Sequence, residues 1–181
     1  MRRTCALLAL LLLLSGCGAA RRGEAFAHWR TGLASAEEIC FDAEITARWE
    51  DAEAVFSVQV EHRGGETAAT VTAPEEIEGV TFRRSAKGGA LEFDGLILDL
   101  DAGHTRPVAP CEGPALLLSA LMEGWPLSFG REGEFGTVSL EAPGGETVTV
   151  WSTQDETPVC AEIARGGVKE LTLDIEHWEM R

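Results

Sequence analysis

Between residues 39 and 49 the chain alternates without a break. Ile39, Phe41, Ala43, Ile45, Ala47 and Trp49 are apolar, and Cys40, Asp42, Glu44, Thr46 and Arg48 lie between them. Successive side chains of a strand point to opposite faces, so this period of two predicts one face on a core and one in water. The pattern continues. Ala54, Phe56, Val58 and Val60 share a face, His62-Arg63-Gly64-Gly65 turns the chain, and Ala69, Val71 and Ala73 resume it. After a break over Pro74 to Gly79, residues 81 to 85 read as a further strand. In ALEFDGLILDL (90 to 100) the apolar phase slips at Asp94-Gly95. Asp-Gly between apolar runs signals a two-residue hairpin, so two strands are expected, about 90 to 93 and 96 to 100. Strands are also expected at roughly 127–131, 135–142, 146–153, 158–164 and 168–179.

Two segments carry a helical period instead. Phe26, Trp29 and Leu33 recur at helical spacing before the first strand. Pro114 can open, and Gly124 with Pro126 can close, a helix over 114 to 124. That helix is apolar on nearly every side and too short to span a bilayer, so it belongs inside the protein. An antiparallel sheet of about ten strands curls, and a curled sheet needs its concave face filled. The fold class read here is mainly β (α+β). It is a curled antiparallel sheet forming an incomplete barrel of about ten strands, closed by an N-terminal helix and a central apolar helix.

The first residues belong to a different logic. Arg2 and Arg3 precede an apolar run from Cys5 to Leu14, too short for a membrane span, followed by small residues. That order reads as a secretory signal peptide. Leu14-Ser15-Gly16-Cys17 resembles the lipobox of bacterial lipoproteins, where the chain is cut before an acylated cysteine. An ordinary signal peptide that happens to contain a cysteine is the lesser reading. The expected organisation is a lipoprotein signal peptide over 1–16, a lipidated tether over 17–23 beginning at Cys17, and a half-barrel domain over 24–181. Two or more acyl chains give stable anchoring, so Cys17 would hold the chain to the bacterial cell membrane on its extracytoplasmic side.

The formal net charge of −15 becomes −17 once Arg2 and Arg3 are removed. So acidic a chain lacks the basic footprint that phosphate backbones require, which argues against nucleic acid as a partner. It is also repelled by anionic headgroups, so its membrane attachment falls to the N-terminal lipid. Beyond Cys5 and Cys17, three cysteines remain in a compartment that permits disulfides. Cys40 and Cys160 both fall on the polar phase of their strands, and a bridge between them is one expectation. Cys111 precedes a helix start, where thiol pKa values fall, but an inert or bridged cysteine is the better reading there.

The early helix, the meander over 38 to 73, the Glu92-Phe93-Asp94-Gly95 hairpin, the buried helix and the closing strands ending in LTLDIEHWEM together resemble one family. The chain is similar, over about residues 24 to 180, to the LolA/LolB-like lipoprotein carriers and their lipid-binding relatives among Gram-positive lipoproteins. The resemblance is one of order and pattern. It implies a half-barrel that is not an enzyme and that holds acyl chains or other apolar ligands between sheet and helices. Many carrier relatives are soluble, whereas an anchored chain fits a stationary holder, acceptor or sensor.

The residues agree on the lack of catalytic chemistry. His28, His62, His104 and His177 are scattered, with no second histidine at ligand spacing, so no metal site is expected. Asp99, Asp101 and Glu112 read as a solvated acidic rim before a calcium site. No G-x-S-x-G elbow occurs, and Ser15 and Ser119 fall in the signal and the buried helix. No cofactor is expected. Trp29 and Trp49 fall on inward phases and Trp125 ends the buried helix, so core is their default place. In a ligand-holding half-barrel the same rings would line the cavity, with Phe41, Phe56, Leu117, Leu118, Leu121 and Met122. The expected function is binding of a lipid, acyl chain or other apolar ligand. The alternative is a non-catalytic envelope scaffold or protein-interaction module without a ligand.

Overall fold

The computed structural model describes residues 21–49, 52–100 and 108–181. Cys17 and the signal segment, with Asp101 and His104, lie outside the described residues. Helix α1 covers residues 21–35 and is followed by β1 (Glu38–Trp49), β2 (Ala52–Arg63), β3 (Glu66–Ala73), β4 (Thr81–Ser85), β5 (Gly88–Phe93) and β6 (Leu96–Leu100). Helix α2 (Gly113–Glu123) leads into β7 (Trp125–Glu132), β8 (Phe135–Glu141), β9 (Thr147–Ser152), β10 (Pro158–Arg165) and β11 (Val168–Met180).

The eleven described strands form a single sheet in the order β6-β5-β4-β3-β2-β1-β11-β10-β9-β8-β7. All neighbours run antiparallel. Two meanders, β1 to β6 and β7 to β11, are thus joined only where the first strand pairs with the last. Ile45 stands opposite Leu173 and Ala47 opposite Leu171 in that seam. Strands β6 and β7 remain at the two edges, so the sheet is an incomplete barrel. The chain must pass from one edge to the other between them, and α2 lies on that connection.

Local chemistry explains the elements. In β1 the predicted inward set, Ile39, Phe41, Ala43, Ile45 and Ala47, is buried. The β5–β6 turn places Asp94 at φ 49° and Gly95 at φ 77°. Both central residues of this hairpin turn are left-handed, the conformation that suits strand twist and that Asp-Gly adopts readily. Helix α2 starts with Pro114 in its first turn and buries Ala115, Leu117, Leu118, Ala120 and Leu121. It packs against β3 on one side and β8, β9, β10 and β11 on the other. With Leu33 of α1, those leucines join the inward residues of β1, β2, β3 and β8 to β11 in one core.

Two inward assignments and one pairing are corrected. Trp49, the last residue of β1 and opposite Ala52 at the end of the β1–β2 pair, is 40% exposed. Trp125 is 74% exposed. It begins edge strand β7 and does not end the helix. No disulfide joins Cys40 to Cys160, and both are free thiols. Strand β11 separates them, with Cys40 opposite Glu179 and Cys160 opposite Asp174. Two strand spacings alone separate the α-carbons by about 10 Å, and the offset along β11 from Asp174 to Glu179 adds to it, well beyond the roughly 7 Å a disulfide can span.

Candidate functional site

Helix α2 does not fill the concave face evenly. Toward β8 and β9 it is reinforced by α1. Arg30 of α1 donates from Nε to the Leu121 carbonyl at 2.7 Å and from a terminal nitrogen to the Gly124 carbonyl at 2.8 Å. The last carbonyls of a helix lack partners inside it, and this guanidinium supplies them while fixing α1 across the end of α2. Its flat face lies over the Phe26 ring at 4.6 Å. Phe26 in turn meets Phe129 of β7 edge to face at 5.7 Å. A shallow depression of about 130 Å³ remains there, with Trp29 and Leu121 among its walls.

On the opposite side, among the described residues, no second α-helix covers the space between α2 and strands β3 and β4. A cavity of about 550 Å³ opens there. Apolar walls come from Leu116, Leu118 and Met122 of α2 and from Phe82 of β4. Ligand sites typically run from about 300 to 1,000 Å³, so its size suits a small or single-chain ligand. Polar groups gather around it: His62 and Thr67 from the β2–β3 hairpin, Arg84 from β4, Ser119 from α2, and Glu146 with Arg165 from the β9–β10 side. Thr67 is buried and its hydroxyl lies 2.9 Å from His62 Nδ1. Burial pushes the His62 pKa below its ordinary value.

The Glu146–Arg165 pair is the most buried charge of the cavity wall. Glu146 is 2% exposed, and its Oε1 accepts from Arg165 at 2.7 Å. Register puts the two together. Thr147 of β9 stands opposite Ala164 of β10, and one further step faces Glu146 with Arg165. Its second oxygen, Oε2, is buried and finds no hydrogen-bond partner among the described residues. It lies against Gly144, where a β-carbon would collide with the carboxylate.

The nine side chains expected to line a cavity are not brought to one place. Leu118 and Met122 line the larger space, and Trp29 and Leu121 the smaller. Leu117 is fully buried in the core, and Phe56 packs against its edge. Phe41 is buried in a stack with Trp178, ring centres 4.9 Å apart. Trp49 and Trp125 face solvent. Periodicity did not reveal Phe82, Thr67, Glu146 and Arg165, since it marks inward residues without telling which lie beside empty space. The lone charged residue after Gly144-Gly145 was the available signal for Glu146. Among the described residues, no group of three His, Cys, Asp or Glu side chains is placed to hold a metal ion. No described helix is long and apolar enough to cross a membrane.

No protein-family model matches the chain, and no curated protein matches it. Solved structures do. A candidate outer membrane lipoprotein-sorting protein domain from Vibrio parahaemolyticus is similar at a TM-score of 0.52 and 10% identity, over 87% of this chain and 91% of that one. A LolA superfamily protein from Nitrosomonas europaea gives 0.49 and 13%, over 81% and 87%. The lipoprotein LppX of Mycobacterium tuberculosis gives 0.39 and 16%, over 84% and 93%. At such identities the likeness is one of fold, and the first of the three carries it. Among the described residues, the open antiparallel sheet with its helices has the fold of that lipoprotein-sorting domain.

Proposed function

We propose that this chain is an extracytoplasmic lipoprotein, anchored to the bacterial cell membrane through Cys17, that binds a lipid or acyl chain in its half-barrel. The observation that carries the reading is the cavity of about 550 Å³ between α2 and strands β3 and β4, floored by Leu116, Leu118, Met122 and Phe82. Binding there needs no catalytic group. Burying apolar ligand surface against these side chains supplies the driving force, at about 25 cal/mol per Å². An anchored holder differs from a soluble shuttle, because a short N-terminal tether from Cys17 to α1 keeps the cavity within reach of one membrane surface. The acidic surface then keeps the domain off anionic headgroups.

Native mass spectrometry and organic extraction of the purified chain test the ligand. A copurifying lipid or fatty acid supports the reading. An empty domain that also fails to bind the apolar fluorophore N-phenyl-1-naphthylamine refutes it. Cys17→Ser in the full chain tests the anchor: the protein should leave the membrane fraction and lose labelling by radioactive palmitate.

One observation favours a second reading, a protein-interaction module. Phe93, Leu96, Ile97 and Leu98 form an exposed apolar patch on the β5–β6 hairpin at a sheet edge. Exposed edges with apolar side chains are templates for association. An empty domain that forms complexes lost on Ile97→Lys would favour this reading over the first.

A further inference from the structure

We infer that the cavity between α2 and β3–β4 selects a neutral amphiphile whose head donates a hydrogen bond from a hydroxyl group to Glu146. The inference rests on the cavity binding an apolar ligand, as proposed above, and assigns the chemistry of the ligand's polar end. Its basis is the carboxylate of Glu146, on a residue that lines the cavity and is 2% exposed. Oε1 is held by Arg165 at 2.7 Å. Oε2 is buried and without a hydrogen-bond partner among the described residues. A carboxylate oxygen can only accept, and a buried acceptor left unmade is costly, so a ligand that supplies a donor recovers that cost.

The surroundings narrow the donor further. Arg84, Glu112 and Glu123 give the rest of the wall mixed charge, but the buried Glu146 carboxylate is already paired with Arg165, so a cationic head beside it would bring an uncompensated charge out of water. An anionic carboxylate head has no proton to give Oε2. A hydroxyl fits both conditions, as in an alcohol, a glycerol ester or a sugar lipid. Gly144 belongs to the same arrangement. Any side chain there would displace the Glu146 carboxylate, so its lack of a β-carbon is what allows Oε2 to sit where it does. The apolar part of the ligand would lie on Leu116 and Met122, the half-buried apolar side chains of α2 in the cavity wall.

The test compares two isomers of equal size, decan-1-ol and 1-methoxynonane, as competitors of N-phenyl-1-naphthylamine bound to the full chain. The alcohol can donate and the ether cannot. The expected result is an alcohol affinity about tenfold above that of the ether, the typical effect of one hydrogen bond to a charged acceptor. Glu146→Gln should abolish most of that advantage, since the amide nitrogen can donate to either oxygen. Equal affinities in the unaltered protein overturn the inference while leaving the cavity's apolar role standing. Failure of the fluorophore and both isomers to bind overturns the inference together with the reading beneath it. An advantage that persists in a folded Glu146→Gln protein also overturns it. Should that variant not fold, Gly144→Ala must lower the alcohol advantage, and the isomer comparison in the unaltered protein decides by itself.

Discussion

Arg30 Nε donates to the carbonyl of Leu121 at 2.7 Å, tying the first helix to the end of the second across 91 residues of sequence. Together with the bond to Gly124, it makes the contact between α1 and α2 polar at its centre and apolar around it. Arg30→Ala leaves those carbonyls unpaired and should destabilise the domain by about 1–3 kcal/mol. Urea denaturation followed by tryptophan fluorescence measures it. Proteolysis should cut within 21–35 sooner than elsewhere, because α1 would detach while the sheet holds.

The cavity and the core separate by mutation. Ser119 lines the space beside α2, whereas Leu117, two residues earlier, is fully buried among sheet residues. Ser119→Leu adds volume to open space and should change stability by less than about 1.5 kcal/mol. It should nevertheless weaken N-phenyl-1-naphthylamine binding several-fold. Leu117→Ala should cost about 2–5 kcal/mol, the usual loss for a buried leucine, yet leave the affinity of the folded fraction nearly unchanged. Paired melting and fluorescence titrations distinguish the two.

Two histidines should titrate in opposite directions. His177, at a left-handed position in β11, lies 2.9 Å from Asp42, and that hydrogen bond raises its pKa. The stability it contributes is fully present below about pH 6.5, the ordinary histidine value, and is lost as pH rises through its raised folded value. His62 is lowered by burial, so its contribution is present above that ordinary value and is lost as pH falls through its lowered folded value. Two-dimensional NMR of the imidazole resonances should order His62 below His177. Asp42→Asn should bring His177 back toward the ordinary value and leave His62 in place.

Cys160 should resist alkylation. Burial, and next the adjacent Asp174, push its thiol to about 11. At pH 8 only roughly one thiol in a thousand is then ionised, and the thiolate is the reactive form. Iodoacetamide at pH 8 should label Cys160 far more slowly in the native protein than after unfolding, as read by mass spectrometry of peptides. Cys40 is raised too, by burial first and then by Glu38 and Glu61, so it should also label slowly.

The sequence by itself determined the strands, because a period of two is a local property that each strand carries alone. Ile39 to Ala47 are buried as that alternation requires, and Asp94-Gly95 makes its hairpin because those two residues accept left-handed backbone. The apolar central helix was legible for a similar reason: its leucines have nowhere to go but inward. Alternation tells which face a residue takes, but not whether anything covers that face. Trp49 and Trp125 keep an apolar phase yet stand at the end of a strand pair and on an edge strand, and both are exposed. Only the tertiary structure decided that β1 would pair with β11, which puts β11 between Cys40 and Cys160 and keeps them apart. It alone decided that α1 would cover one side of α2 and leave a cavity on the other. That cavity, with the unpartnered oxygen of Glu146 in its wall, depends on how α2, the β2–β3 hairpin, β4 and the β9–β10 side meet, and no single stretch of chain encodes it.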